Sequence, residues 1–163
     1  MPRIIAMPVL MLALMLMVQT PVQANDMELQ RWYLGAGFGA AKVESEAEMK
    51  TSIQGLLGYT LEQEVLAGWS GSSLAMEVGL QSVSEVDRAG VWFTPLINLP
   101  LSREIDMFGR VGVELGQEST LVAGIGVAHK IERNMAVRLE YVLRQGMGAL
   151  QFNLIVHPWS RPY

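Results

Sequence analysis

Residues 32–40 read Trp-Tyr-Leu-Gly-Ala-Gly-Phe-Gly-Ala, and this stretch decides the fold class. Apolar side chains alternate with Tyr33 and three glycines, and the apolar row consists of Trp32, Leu34, Ala36 and Phe38. Successive side chains of a β-strand point to opposite faces, so the stretch predicts a strand with one apolar face and one nearly empty face. Glycine weakens a strand unless something lies close to it, and a narrow closed barrel provides that crowding. An apolar row on the outside of such a barrel requires lipid around it.

The same alternation returns along the chain in segments of about ten residues, as in membrane-spanning barrel strands. Eight strands are predicted, at about 32–43, 52–59, 73–83, 89–101, 107–116, 121–130, 135–144 and 148–157. Outer-membrane barrels use even numbers of strands, and eight is the smallest number. The sequence therefore predicts an all-β fold, an eight-stranded antiparallel up-and-down transmembrane β-barrel.

Charged residues of the third, fifth and seventh segments share one face with the glycines. These residues are Glu77, Arg110, Glu114, Arg138, Glu140 and Arg144. Small residues belong inside a tight barrel, so we expect the charges to face the lumen as well. The reverse placement, with apolar residues inside and charges in water, is typical of a soluble periplasmic lipocalin-like lipid binder and stays open as an alternative.

The six inward charges form a predicted lumen ion network. Side chains fill the interior of an eight-stranded barrel, so these groups must pair with one another or with trapped water. A packed plug of ion pairs is the expected outcome. A narrow gated pore for small solutes is the alternative.

The N-terminus has the pattern of a secretory signal peptide. Arg3 precedes the apolar run 4–18, and Val22 and Ala24 fit a small-residue cleavage site. We therefore expect a cleaved signal peptide at 1–24 and a single barrel domain at 25–163. The chain has no cysteine and a net charge of −4 at pH 7, and this mild acidity argues against nucleic acid as a partner.

Neither histidine has the surroundings of a catalytic base. A hydroxyl that shares a strand face with His129 should lie two residues away, but those positions hold Val127 and Ile131. His157 stands next to Pro158. We expect no catalytic, cofactor-binding or metal-binding residues and no cofactor, although a barrel enzyme that modifies lipid A remains an alternative.

The predicted turns give the barrel an orientation. Short polar connections at 102–104 and 132–134 suit the periplasmic rim, and the outer loops at about 44–51, 84–88, 117–120 and 145–147 are all short. Aromatic residues predicted near strand ends suit the girdles found at membrane interfaces; these are Trp32, Tyr59, Trp92, Phe93 and Trp159. Two stretches depart from this plan. Residues 60–72 are long for a periplasmic turn, and Pro158 should end the last strand.

Several stretches, in their order along the chain, resemble the small OmpA/OmpX-like outer-membrane β-barrels. They are 32–39, 56–59, 99–101 with 107–112, and 124–127 with 134–141. The resemblance covers nearly all of the chain after the predicted signal peptide. It implies the cell outer membrane of a Gram-negative bacterium, contact with outer-membrane lipids and lipopolysaccharide, and help from periplasmic chaperones and the barrel-assembly machinery during insertion.

The resemblance implies no single activity, since members of that family are structural, adhesive or phage-binding. Arg138 and Glu140 match lumen ion-pair positions that have been proposed to gate a narrow path in relatives. We expect a non-enzymatic outer-membrane barrel with a structural or surface-interaction role. The sequence does not identify a surface ligand.

Overall fold

The computed structural model describes residues 30–44, 47–63, 65–84, 88–116 and 119–158. The described residues form eight strands: β1 Trp32–Val43, β2 Met49–Gln63, β3 Ser73–Val83, β4 Arg88–Pro100, β5 Ile105–Leu115, β6 Thr120–Glu132, β7 Met135–Arg144 and β8 Met147–Val156. The predicted signal peptide and residues 159–163 lie outside the described part.

Each strand pairs in antiparallel fashion with its neighbours in sequence, and β1 also pairs with β8. The sheet is therefore a closed barrel without a free edge. The predicted up-and-down fold is confirmed, and the bounds of β1, β3 and β7 are as predicted. In the described part of the chain, no helix is long and apolar enough to span a membrane.

The two ends of the barrel are distinguished by the strands that begin and finish at each of them. The end at which β1 begins and β8 finishes is called the terminal end here, and the other is the opposite end. Short turns join β4 to β5 and β6 to β7 at the terminal end. β8 stops at Val156 and Pro158 lies in a turn, as the missing proline N–H predicts.

The long stretch between residues 60 and 72 is partly strand, which corrects the predicted end of β2 at residue 59. β2 continues to Gln63 through a register shift between Thr60 and Glu62, where the period-two pattern breaks. The turn that follows uses Gly68 and Gly71 at φ values of 82° and 81°. The Trp69 indole donates a hydrogen bond of 3.2 Å to the Pro100 carbonyl, which fixes this turn against the end of β4.

Alternate residues of every strand face outward, and large apolar side chains dominate that surface. We call this surface the apolar belt; it includes Phe38, Ile53, Val78, Phe93, Val111, Ile125, Leu139 and Phe152, one from each strand in order. Water would strongly disfavour a continuous apolar surface of this extent. The belt is the arrangement expected of a barrel wall that faces hydrocarbon.

Trp92 is placed differently from the sequence prediction. The interface-girdle interpretation is wrong for this residue, because its side chain is fully buried inside the barrel. The indole occupies the space above Gly79 of β3, where a Cβ atom would lie 2.5 Å from Trp92 Cε2. Trp92 is one of the alternate residues of β4 that face inward. Its partner on β3, Gly79, has no side chain, so the indole has room there. Phe93 next to it is exposed, but it lies in the middle of β4 rather than at an end.

We predict that Gly37→Ala destabilises the barrel by about 1–3 kcal/mol, the usual cost of overpacking. A Cβ atom at Gly37 would lie 2.5 Å from the Phe152 carbonyl oxygen and 2.6 Å from Asn153 Cγ. Gly55→Ala is the matched control, since the nearest atom to its Cβ is 4.0 Å away. Urea unfolding of both variants in phospholipid vesicles checks this, and equal midpoints would contradict it.

Candidate functional site

Charged side chains from three alternate strands meet inside the barrel. They are Glu77 on β3, Arg110 and Glu114 on β5, and Arg138, Glu140 and Arg144 on β7. Each of the six is buried, and no other charged residue is buried among those whose side chains the structure describes. Three carboxylates therefore balance three guanidinium groups in the lumen.

Glu77 and Glu140 hold two of the arginines in what we call the central cluster, formed by Glu77, Arg110, Arg138 and Glu140. Glu77 accepts hydrogen bonds from Arg138 at 2.6 Å and from Arg110 at 3.4 Å. Arg110 also donates to Glu140 at 3.0 Å. Arg110 thus bridges the two carboxylates and joins strands β3, β5 and β7 across the lumen.

Three neutral side chains complete the central cluster, and the sequence analysis did not identify them as members. The Tyr33 hydroxyl donates to Glu77 at 2.9 Å. Gln54 and Asn153 donate to Glu140 at 2.9 Å and 3.1 Å. Inward parity on β1, β2 and β8 was available in the sequence as a signal, but parity alone does not show which inward residues lie at the same level.

Two aromatic rings lie against the arginines. The Arg110 guanidinium is 4.5 Å from the centre of the Trp92 ring, and that of Arg138 is 4.5 Å from the centre of the Phe108 ring. Cation–π contacts of this kind attract a guanidinium that has left water to the face of the ring. The rings also fill the cross-section of the lumen beside the ions.

A second ion pair lies closer to the opposite end. Arg144 Nε donates to Glu114 at 2.5 Å. At the same end, small and medium apolar side chains form what we call the end cluster: Ala41, Val43, Val83, Met147 and Ala149. The lumen is therefore packed at this end by apolar side chains and in the middle by ions and rings.

Buried ion pairs of this type contribute little net stability, because the cost of removing the charges from water offsets their attraction. Removing one partner is far more costly, because it leaves a charge without compensation. The arrangement thus acts as a constraint: each strand must keep its register for the six charges to be matched.

The terminal end is open, with a cavity of about 540 Å³. Tyr33, Arg138, Lys130 and His157 are among the residues that line it. The His157 ring lies 5.3 Å from the Tyr33 ring. Burial, and then the charge of Arg138, lower the pKa of His157.

The two histidines lie in different environments. His129 is exposed on the outer face of β6, whereas His157 lines the cavity at the terminal end. Among the described residues, no three His, Cys, Asp or Glu side chains are grouped so that they could hold a metal ion.

No protein-family model matches the chain, and no curated protein matches it in sequence. Its fold is similar to solved structures of small barrels at low identity. A de novo designed transmembrane β-barrel has a TM-score of 0.58 at 13% identity, covering 76% of this chain and 93% of that one. The outer membrane enzyme PagL has a TM-score of 0.58 at 13% identity, covering 76% and 98%.

Neisserial surface protein A has a TM-score of 0.53 at 11% identity, with coverage of 77% of this chain and 96% of that one. These structures include both an enzyme and a surface protein, and at such identities they show the fold alone. That fold is the small outer-membrane β-barrel, which the resemblance to the OmpA/OmpX-like proteins predicted.

Proposed function

We propose that the protein is an integral outer-membrane β-barrel with a non-enzymatic role, either structural or in surface interactions. The apolar belt carries this proposal, because all eight strands expose large apolar side chains while six charges are buried within. A soluble lipocalin-like barrel requires the reverse placement. The terminal end faces the periplasm in this proposal, since β1 begins and β8 finishes there.

The proposed partners follow from that location. Outer-membrane phospholipids and lipopolysaccharide surround the apolar belt, and periplasmic chaperones and the barrel-assembly machinery deliver the chain. The connections at the opposite end contain few residues, which suits a structural role better than binding of a large protein ligand.

Fractionation of cells that express the full-length chain tests the location. We expect the protein in the outer membrane, with a gel mobility that differs between unboiled and boiled samples. Recovery from the soluble periplasm would overturn the proposal.

The mass spectrum of lipid A tests the non-enzymatic role. An unchanged spectrum on overexpression is the expected result for a barrel without enzymatic activity, and a new lipid A species would overturn the non-enzymatic role.

The packing of the lumen favours a plug over a channel. We predict no discrete conductance steps when the purified barrel is inserted into a planar lipid bilayer. Arg138→Ala should be equally silent, because Trp92, Phe108 and the end cluster still fill the lumen. Discrete steps in the wild type, or their appearance in Arg138→Ala, would instead support the gated-pore alternative.

A further inference from the structure

The outer wall of the barrel has a groove in addition to the cavity inside it. Its volume is about 590 Å³, within the range of small-molecule pockets. We call it the outer groove; its lining includes Pro95, Ile97, Met107, Gly109, Val111 and Ile125. These residues belong to β4, β5 and β6, and Ile97, Gly109, Val111 and Ile125 are exposed on the side of the apolar belt.

Gly109 lines the outer groove. Contacts within the protein do not explain why this position is a glycine. Inward glycines such as Gly37 are needed because a Cβ atom would overlap a neighbouring strand. At Gly109 a Cβ atom would meet nothing nearer than the Gly124 carbonyl oxygen at 4.0 Å. A strand glycine often marks a place where a ligand or another chain approaches closely, and here the approach can only come from outside.

The pairing between β4 and β5 is interrupted at Pro95, which also lines the groove. The β4–β5 ladder runs through the pair Phe93 and Val113 and resumes at Leu96 and Arg110, with no pairs between. The register does not shift across this gap. Proline has no N–H to donate, so the ladder loses its pairing at this point without a bulge.

Basic and hydrogen-bonding groups lie at the terminal end of the strands that line the outer groove. Arg103 lies exposed in the β4–β5 turn, and exposed His129 pairs with Ile105 at the same end. Glu104 is the acidic neighbour in that turn. The nearby carboxylate of Asp106 is already compensated by Lys130 at 2.9 Å.

We propose that the outer groove binds one acyl chain of a phospholipid whose phosphate lies beside Arg103 and His129. The inference rests on the proposed outer-membrane location. An apolar tail joined to an anionic head matches an apolar groove on strands that carry cationic and hydrogen-bonding side chains at their terminal end. Within hydrocarbon, the free energy of acyl-chain binding comes from close packing rather than from the hydrophobic effect. If the groove stayed empty, its lining residues would lose these van der Waals contacts.

Gly109→Leu tests the proposal, because it adds an apolar side chain to the groove at a position where a Cβ atom meets no atom nearer than 4.0 Å. Gly55→Leu is the matched control, since the atom nearest to a Cβ at Gly55 on β2 is also a backbone carbonyl oxygen at 4.0 Å, that of Gly35. Each protein is reconstituted into vesicles of phosphatidylethanolamine and phosphatidylglycerol, extracted in mild detergent and weighed by native mass spectrometry.

We expect wild type and Gly55→Leu to retain one phospholipid, and Gly109→Leu to retain about tenfold less, equivalent to about 1.4 kcal/mol. An Arg103→Gln/His129→Gln double variant should retain less phosphatidylglycerol than wild type. If Gly109→Leu retained as much phospholipid as the wild type, or if the wild type formed lipid-free dimers, the groove assignment would be overturned. The proposed function would be unaffected, because the barrel would still be inserted. A wild type that does not insert and shows no heat-modifiable band would overturn the proposed function itself.

Discussion

Replacing Glu77 with glutamine is expected to lower the free energy of unfolding by about 3–5 kcal/mol, as for other buried ion pairs that lose one member. Glu77 is fully buried and accepts hydrogen bonds from Tyr33, Arg110 and Arg138. Glutamine keeps the shape but not the charge, so Arg138 stays in the lumen without its carboxylate. Urea titration of the folded barrel in phospholipid vesicles, followed by tryptophan fluorescence, measures the loss.

Two further variants separate the ion pair from general damage. Lys130→Gln breaks the partly exposed pair with Asp106 and should cost about 0–1 kcal/mol. Glu77→Gln combined with Arg138→Gln should be less destabilised than the sum of the single variants, because neither charge is left alone and Arg110 keeps Glu140. Strict additivity would contradict the pairing described for the central cluster.

Leu139→Arg is expected to cost about 2–4 kcal/mol, the cost of a charge at the middle of a barrel wall that faces lipid. Leu139 is near the middle of β7 and is 46% exposed on the apolar belt. In a water-soluble barrel the same substitution would place an arginine on a wet surface at little cost. Urea titration in vesicles gives the free energy of unfolding, and unboiled gels give the fraction inserted.

Leu143→Arg is the control on the same strand. Leu143 is 52% exposed and directly precedes Arg144, the last residue of β7, so its arginine can reach the interface at about 0–1 kcal/mol. The account therefore predicts a clear difference between two equally exposed positions. Similar free energies of unfolding for the two variants would contradict the placement of the apolar belt in a membrane, because the cost of the arginine would not depend on its depth.

Period-two alternation was sufficient to predict the barrel, because it depends only on the geometry of a single strand. β1, β3 and β7 carry unbroken alternation and begin and end where the sequence predicts. The alternation in β2 is broken, because the register shift near Thr60 changes which residues face outward. The pattern therefore does not reveal the last residues of this strand.

The central cluster was only partly predictable for a different physical reason. Parity identifies which residues face inward, and all six charged residues could be placed inside in this way. The level of each residue along the axis depends on the register between strands, which one sequence does not state. The bridge from Arg110 to Glu77 and Glu140, the contacts of Gln54 and Asn153, and the burial of Trp92 all depend on register.

The placement of the apolar belt in hydrocarbon is the central claim, and spin-label accessibility tests it most directly. The chain has no cysteine, so single cysteines can be introduced at Phe38, Leu139 and Phe152 on the belt, with exposed Ser102 in a turn as the control. In vesicles, labels on the belt should collide with dissolved oxygen far more often than with a water-soluble nickel chelate, and the label at Ser102 should show the reverse. Belt labels that collide mainly with the nickel chelate would contradict the account.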